Sequence, residues 1–227
     1  MTRIAQSKFF GALAAAALFW GAAMSQAQAT PLDKLIGKSL AVGNLVFSNF
    51  AAPSFVGAGP SGIDVQGIVV IDPDTGKQQT GLRFVAPFSQ SPNGGPHEIV
   101  LNVLYTLTDT AGQLNTIAQS MNATAVGQAA VYFFTQASPL PGFVADPSLT
   151  VVDICIASAP FVACANNPAL GPQVVVANNT AGLVSAPLFA GTNTFYVEHQ
   201  VQLLISNRKG VTGGTTTLQQ FEVLYSE

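Results

Sequence analysis

The chain offers few residues that could do chemistry, and their spacing limits what each can do. It has two histidines, His97 and His199, and each has a glutamate as neighbour, Glu98 and Glu198. Both pairs fall in alternating apolar/polar stretches. Adjacent residues of a strand point to opposite faces, so neither pair can chelate one ion by itself. Both histidines share the apolar phase of their strands. That predicts inward or rim histidines satisfied by backbone carbonyls rather than a metal site, which needs more than two imidazoles. The stretch DPDTG, Asp72 to Gly76, begins like a calcium loop. It then departs from one: Gly76 stands at the fifth position and Arg83 where the twelfth-position acid belongs. A hard cation needs several oxygens, so Asp72 and Asp74 are weak calcium candidates and a hairpin turn is the expected role. No metal site and no cofactor are expected.

Nucleophilic catalysis needs Ser or Cys with a base and an orienting acid. No G-x-S-x-G elbow, phosphate loop or strand–GxGxxG–helix unit occurs. Glycoside hydrolysis needs two carboxylates across a cleft. The 11 acids are scattered and permit such a pair without indicating one. Phenylalanine is abundant at 15 residues, but most positions match strand cores, which is packing before it is a sugar platform. The catalytic expectation is therefore none.

The two cysteines, Cys155 and Cys164, are decided by compartment. Arg3 and Lys8 open a positively charged start, FFGALAAAALFWGAAM follows as an uncharged apolar run, and AQA at Ala27–Ala29 supplies the small residues of a cleavage box. Residues 1–29 read as a signal peptide cut after Ala29. An exported chain meets an oxidising compartment, where Cys155 and Cys164 are expected to form a disulfide. Their spacing is wrong for a CxxC redox motif, and no second pair completes a zinc site. Closing so short a loop stabilises a fold by roughly 2–3 kcal/mol. The expected location is extracellular or periplasmic. No later run reaches the length of a membrane helix, so no integral membrane association is expected after signal removal.

Cleavage leaves residues 30–227, one domain's worth of chain, with six bases against 11 acids. A negative surface poor in Lys and Arg excludes nucleic acid as a partner. Charged residues are only 8% of the chain, yet hydrophobic ones are 48%, which is not the composition of disorder. Short apolar runs are instead punctuated by Gly, Pro, Thr, Asn and Ser, as all-β proteins punctuate their turns.

The elements that must carry these residues are strands. In 195–206, Phe195, Val197, His199, Val201, Leu203 and Ile205 share one face, against Tyr196, Glu198, Gln200 and Gln202 on the other. The stretch 97–108 repeats the pattern, and its outer Val100 and Leu104 mark it as a central strand. Further strands are expected at 39–48, 63–71, 80–88, 126–136, 148–156, 172–178 and 215–226. Residues 31–40 have the pattern of at most one helical turn. Asp/Asn–Gly signals predict hairpins at 72–77, 108–113 and 207–214. The expected fold is all-β, an antiparallel β-sandwich of about nine to eleven strands. A transmembrane β-barrel also alternates and is exported. The single Trp lies inside the signal, at Trp20, and the chain closes on LYSE rather than an aromatic, which argues against it. No internal repeat is visible.

The ordered pieces GNLVFSNF (43–50), SGIDVQ (61–66), GLRFVAPFSQ (81–90), HEIVLNVLYTLTDTAGQL (97–114) and the closing stretch from Phe195 to Glu227 form a series. That series resembles the exported ectodomains of bacterial PEP-CTERM-type proteins. VEHQVQL stands where those have V-x-K-D-I, and the Pro-Glu-Pro box, apolar span and basic tail of their sorting signal are missing. The resemblance implies a released protein at the cell exterior, associated with matrix or envelope, and brings no shared enzymatic site. The expectation is an exported, non-enzymatic β-sandwich with a structural, adhesive or matrix-associated role. Its Thr/Asn/Gln-rich outer phases suit extracellular polysaccharide or envelope components as partners. A secreted glycan-acting hydrolase and a calcium-dependent adhesion module are the alternatives.

Overall fold

The computed structural model describes residues 28–57, 59–72, 75–91, 98–112, 114–142, 148–157, 183–189, 191–205 and 213–227, with the backbone of 173–177. Period-two alternation builds almost all of it. Strand β7 (Glu98–Asp109) buries Ile99, Leu101, Val103, Tyr105 and Leu107, and β13 (Thr194–Ile205) buries Phe195, Val197, His199, Val201, Leu203 and Ile205. Both do so in the phase the sequence predicts.

Two sheets form. The six-stranded sheet runs β1 (Thr30–Pro31), β5 (Asp64–Ile71), β6 (Gln78–Gln90), β14 (Thr215–Ser226), β8 (Thr116–Val126), β12 (Val184–Pro187). The eight-stranded sheet runs β11 (Gln173–Ala177), β10 (Thr150–Ala157), β9 (Ala129–Ser138), β13, β7, β3 (Leu45–Ala51), β2 (Leu40–Val42), with β4 (Phe55–Val56) also on β7. All neighbours are antiparallel except β10 and β11. A single helical turn, α1 (Leu32–Leu35), plugs one side with buried Leu32 and Leu35, and a 3-10 turn spans Pro60–Gly62. The aromatic core lies between the sheets: Phe47, Phe50, Phe133 and Phe195 from one, Phe84 and Phe221 from the other. Phe84 stacks on Phe221 at 4.5 Å between centroids. The expected β-sandwich is present, built as two open sheets.

Several local expectations change. The run 39–48 is two strands, because Gly43 takes a positive φ of 57° and turns the chain between β2 and β3. Strand β8 was not expected; its polar residues hide the alternation that buries Ile117, Gln119 and Met121. Of the three predicted hairpins only 72–77 joins paired strands, β5 and β6. The turn after β7 leads into β8 of the other sheet, and the segment after β13 leads into β14 of the other sheet. Asp/Asn–Gly sequences specify a reversal of direction, not which edge the next strand joins. The turn 207–214 lies largely outside the described residues.

Candidate functional site

The predicted site residues do not converge. Asp72 opens a turn: its backbone N–H donates to the Lys77 carbonyl, its own carbonyl accepts from Gly76, and its Oδ1 accepts from the Thr75 N–H at 3.3 Å. Asp74 and His97 lie outside the described residues. Cys155 is buried on β10, and no described cysteine is free; its expected partner Cys164 lies outside the described residues. Among the described residues no group of three or more His, Cys, Asp or Glu could hold a metal, and no helix is long and apolar enough to cross a membrane.

His199 is fully buried, as its strand phase requires, but its partners are side chains rather than the expected backbone carbonyl. Nδ1 meets Thr135 Oγ1 of β9 at 2.9 Å, and Nε2 meets the Tyr105 hydroxyl of β7 at 2.7 Å. That hydroxyl lies 2.7 Å from the Tyr225 hydroxyl of β14. A polar chain thus crosses from the eight-stranded sheet to the six-stranded one inside a box of Phe84, Phe133 and Phe221 rings. Among the described residues no charge faces the ring, and burial lowers the His199 pKa to about 3. Burial also raises both tyrosines, Tyr105 further through Tyr225 beside it. Every member is bonded, so the chain pins the sheets together and has no exposed reactive end.

The outer face of the eight-stranded sheet is built differently. Ladder register places Gln200 of β13 between Asn102 of β7 and Phe134 of β9, with Asp153 of β10 beyond Phe134. One step along, Glu198 lies between Leu104 and Gln136, and one step the other way Gln202 lies between Val100 and Tyr132. Tyr196 extends the face toward the start of β13. These side chains are all half-buried: they lie on the sheet and still meet solvent. From Tyr132 to the level of Tyr196, six residues along β9, the face runs about 20 Å at roughly 3.4 Å per residue.

Two carboxylates share it. The Gln136 amide donates to Glu198 Oε2. Burial raises the Asp153 pKa to about 6, and its Oδ1 is buried without a hydrogen-bond partner. Tyr132 is raised by burial and by the charge of Asp153. Aromatic faces with amides beside them can stack on the apolar face of a sugar ring and bond its hydroxyls. The sequence shows these residues as the polar phases of separate strands; only the order β10–β9–β13–β7 joins them.

A cavity of about 390 Å³ opens at one end of the sandwich, lined among others by Asn44, Lys77, Gln78, Thr80, Ser226 and Glu227. It is small, polar and carries both signs of charge.

No family model and no curated protein matches the chain. Among solved structures it is similar to the TmCBM61 protein in complex with β-1,4-galactotriose, at 8% identity, TM-score 0.28, over 78% of this chain and 86% of that one. It is also similar to a family 12 xyloglucanase from Bacillus licheniformis, at 11% identity, TM-score 0.28, over 89% of this chain and all of that one.

Proposed function

We propose that this is an exported glycan-binding β-sandwich with an adhesive or matrix-associated role, binding a neutral polysaccharide along the outer face of its eight-stranded sheet. One observation carries the reading: Tyr132, Phe134 and Tyr196 share that face with Gln136, Gln200, Gln202 and Asn102. Aromatic stacking and amide hydrogen bonds suit uncharged sugar rings, and neither needs a metal. Export rests on the N-terminal signal pattern, and a place in the extracellular matrix or envelope on the resemblance to PEP-CTERM-type ectodomains. The test is affinity electrophoresis of the exported protein through gels containing neutral polysaccharides. Retardation by at least one polymer is expected, reduced tenfold or more in affinity by Tyr196→Ala or Phe134→Ala. Equal mobility in every gel, or unchanged retardation of both variants, refutes it.

A second reading is favoured by Asp153 and Glu198. Burial raises the Asp153 carboxyl to about 6, and Glu198 is bonded to an amide on the same face. Glycoside hydrolysis uses two carboxyls, one of them an acid of raised pKa. Release of reducing ends from a retained polymer, abolished by Asp153→Asn with binding intact, would establish it; binding without any release rules it out.

A further inference from the structure

Among the described residues six side-chain atoms are buried without a hydrogen-bond partner. Four lie elsewhere: Gln119 and Asp109 in the inward phase of their strands, Gln79 in the other sheet, Asp33 on α1. The remaining two, Asn102 Oδ1 and Asp153 Oδ1, both belong to the outer face of the eight-stranded sheet. Burying an acceptor without a bond is costly, and most buried polar groups avoid it.

The two stand at the ends of one row. Ladder register runs Asp153 of β10, Phe134 of β9, Gln200 of β13, Asn102 of β7. Three ladder steps put about 14 Å between the ends, at roughly 4.8 Å per step. The neighbouring row behaves differently, because there the Gln136 amide and the Glu198 carboxylate bond each other. One row satisfies itself, and the row through Phe134 keeps its acceptors open. Asn102 and Asp153 are both half-buried and still meet solvent. The last torsion of Asn and Asp is broad, so a small rotation turns either oxygen outward.

We infer that a neutral oligosaccharide crosses the strands along this row, one sugar stacked on Phe134 and donating a hydroxyl to Asp153, a following sugar donating to Asn102. The inference rests on the glycan-binding reading above and adds the direction of the chain and the two residues that select it. An aromatic ring and an amide between two open acceptors match a partner with an apolar ring face and hydroxyl donors along its edges. Sugar chains have both. A single sugar ring does not span the row, so the shortest ligand that satisfies both oxygens is a disaccharide. Tyr196 pairs with Ser138, four residues along β9 from Phe134. That is about 14 Å at roughly 3.4 Å per residue, so Tyr196 stands clear of a chain crossing at Phe134.

The test is affinity electrophoresis of the exported protein in gels containing a neutral glucan, galactan or galactomannan, with melting temperatures measured beside it. Asn102→Val and Asp153→Val each remove an unbonded oxygen. Both are expected to melt no lower than the wild type, yet to bind at least tenfold more weakly. Asp153→Asn keeps an acceptor oxygen and is expected to stay within threefold of wild type. Phe134→Ala is expected to lose tenfold, and Tyr196→Ala less than threefold. If both valine variants bind within threefold of wild type while Phe134→Ala is impaired, the inference is overturned and glycan binding stands; the two oxygens then serve only water. A tenfold loss in Tyr196→Ala with Asn102→Val unaffected also overturns it, because the chain then runs along the strands. Should a valine variant melt below the wild type, Asn102→Ala and Asp153→Ala replace the pair, and wild-type retardation of both overturns the inference equally. No retardation in any gel refutes glycan binding and this inference together.

Discussion

Acid should weaken this fold through one side chain, and the size of the effect follows from where that side chain sits. His199 is buried between the sheets, bonded to Thr135 and Tyr105 and surrounded by phenylalanine rings. An unfolded chain protonates its imidazole near pH 6.5, whereas in the fold burial holds the pKa at about 3. Between those values the unfolded state binds the extra proton, so stability falls as pH falls, until the native ring protonates too. Each pH unit is worth about 1.4 kcal/mol, so at pH 5 the loss is about 2 kcal/mol relative to pH 7.5. Asp153 acts in the opposite sense. Its pKa is raised to about 6, so the native state takes up a proton first on acidification and gains roughly 1 kcal/mol by pH 5.

The Asp153 gain offsets about half of the histidine loss in the wild-type curve, and a difference measurement separates them. Urea unfolding of wild type and His199→Gln at pH 7.5 and pH 5 gives the free-energy gap at each pH. Glutamine keeps a polar group opposite Tyr105 and does not titrate. The gap should shrink by about 2 kcal/mol between pH 7.5 and pH 5, because only the wild type carries the histidine's acid penalty and Asp153 contributes equally to both proteins. A gap constant to within about 0.5 kcal/mol would refute the buried, neutral state of His199.

Two further outcomes follow from packing and covalent closure. Gly81 pairs with Leu224 of β14, and a Cβ there would fall 1.9 Å from the Val223 carbonyl oxygen, a backbone atom that cannot swing aside. Gly81→Ala should therefore cost about 2 kcal/mol or more by chemical denaturation, and a cost below 0.5 kcal/mol would contradict that close approach. Reducing the protein should lower its melting temperature by several degrees, as expected for a staple at Cys155 worth roughly 2–3 kcal/mol; identical melting with and without reductant would dispose of the bridge.

What could be foreseen divides by length scale. Alternation alone places His199 inside and Glu198 outside, and it marks β7 as central through Val100 and Leu104. It fails on β8, where Gln119 is buried yet polar; its amide reaches the Phe133 carbonyl of the other sheet, 14 residues away. It also fails on β3, where Asn49 adopts a left-handed φ of 56° and the register slips between Ser48 and Ala51. A bulge changes the face of every residue beyond it, and no local pattern announces one.

The amino-acid sequence by itself determined that this chain is made of strands and which residues of most strands face inward. Those are properties of neighbours a few residues apart, set by the two-residue period of the pleat. Only the tertiary structure decided that Tyr105, Thr135, His199 and Tyr225 meet across the core, and that Tyr132, Phe134, Tyr196 and the amides share one face. Each depends on strand order, and strand order is a competition among non-local pairings whose local signals are alike. The crossing of the chain between sheets after β7 and again after β13 settles that competition. The turns at those points look like hairpins, and the sheets on either side show they are not.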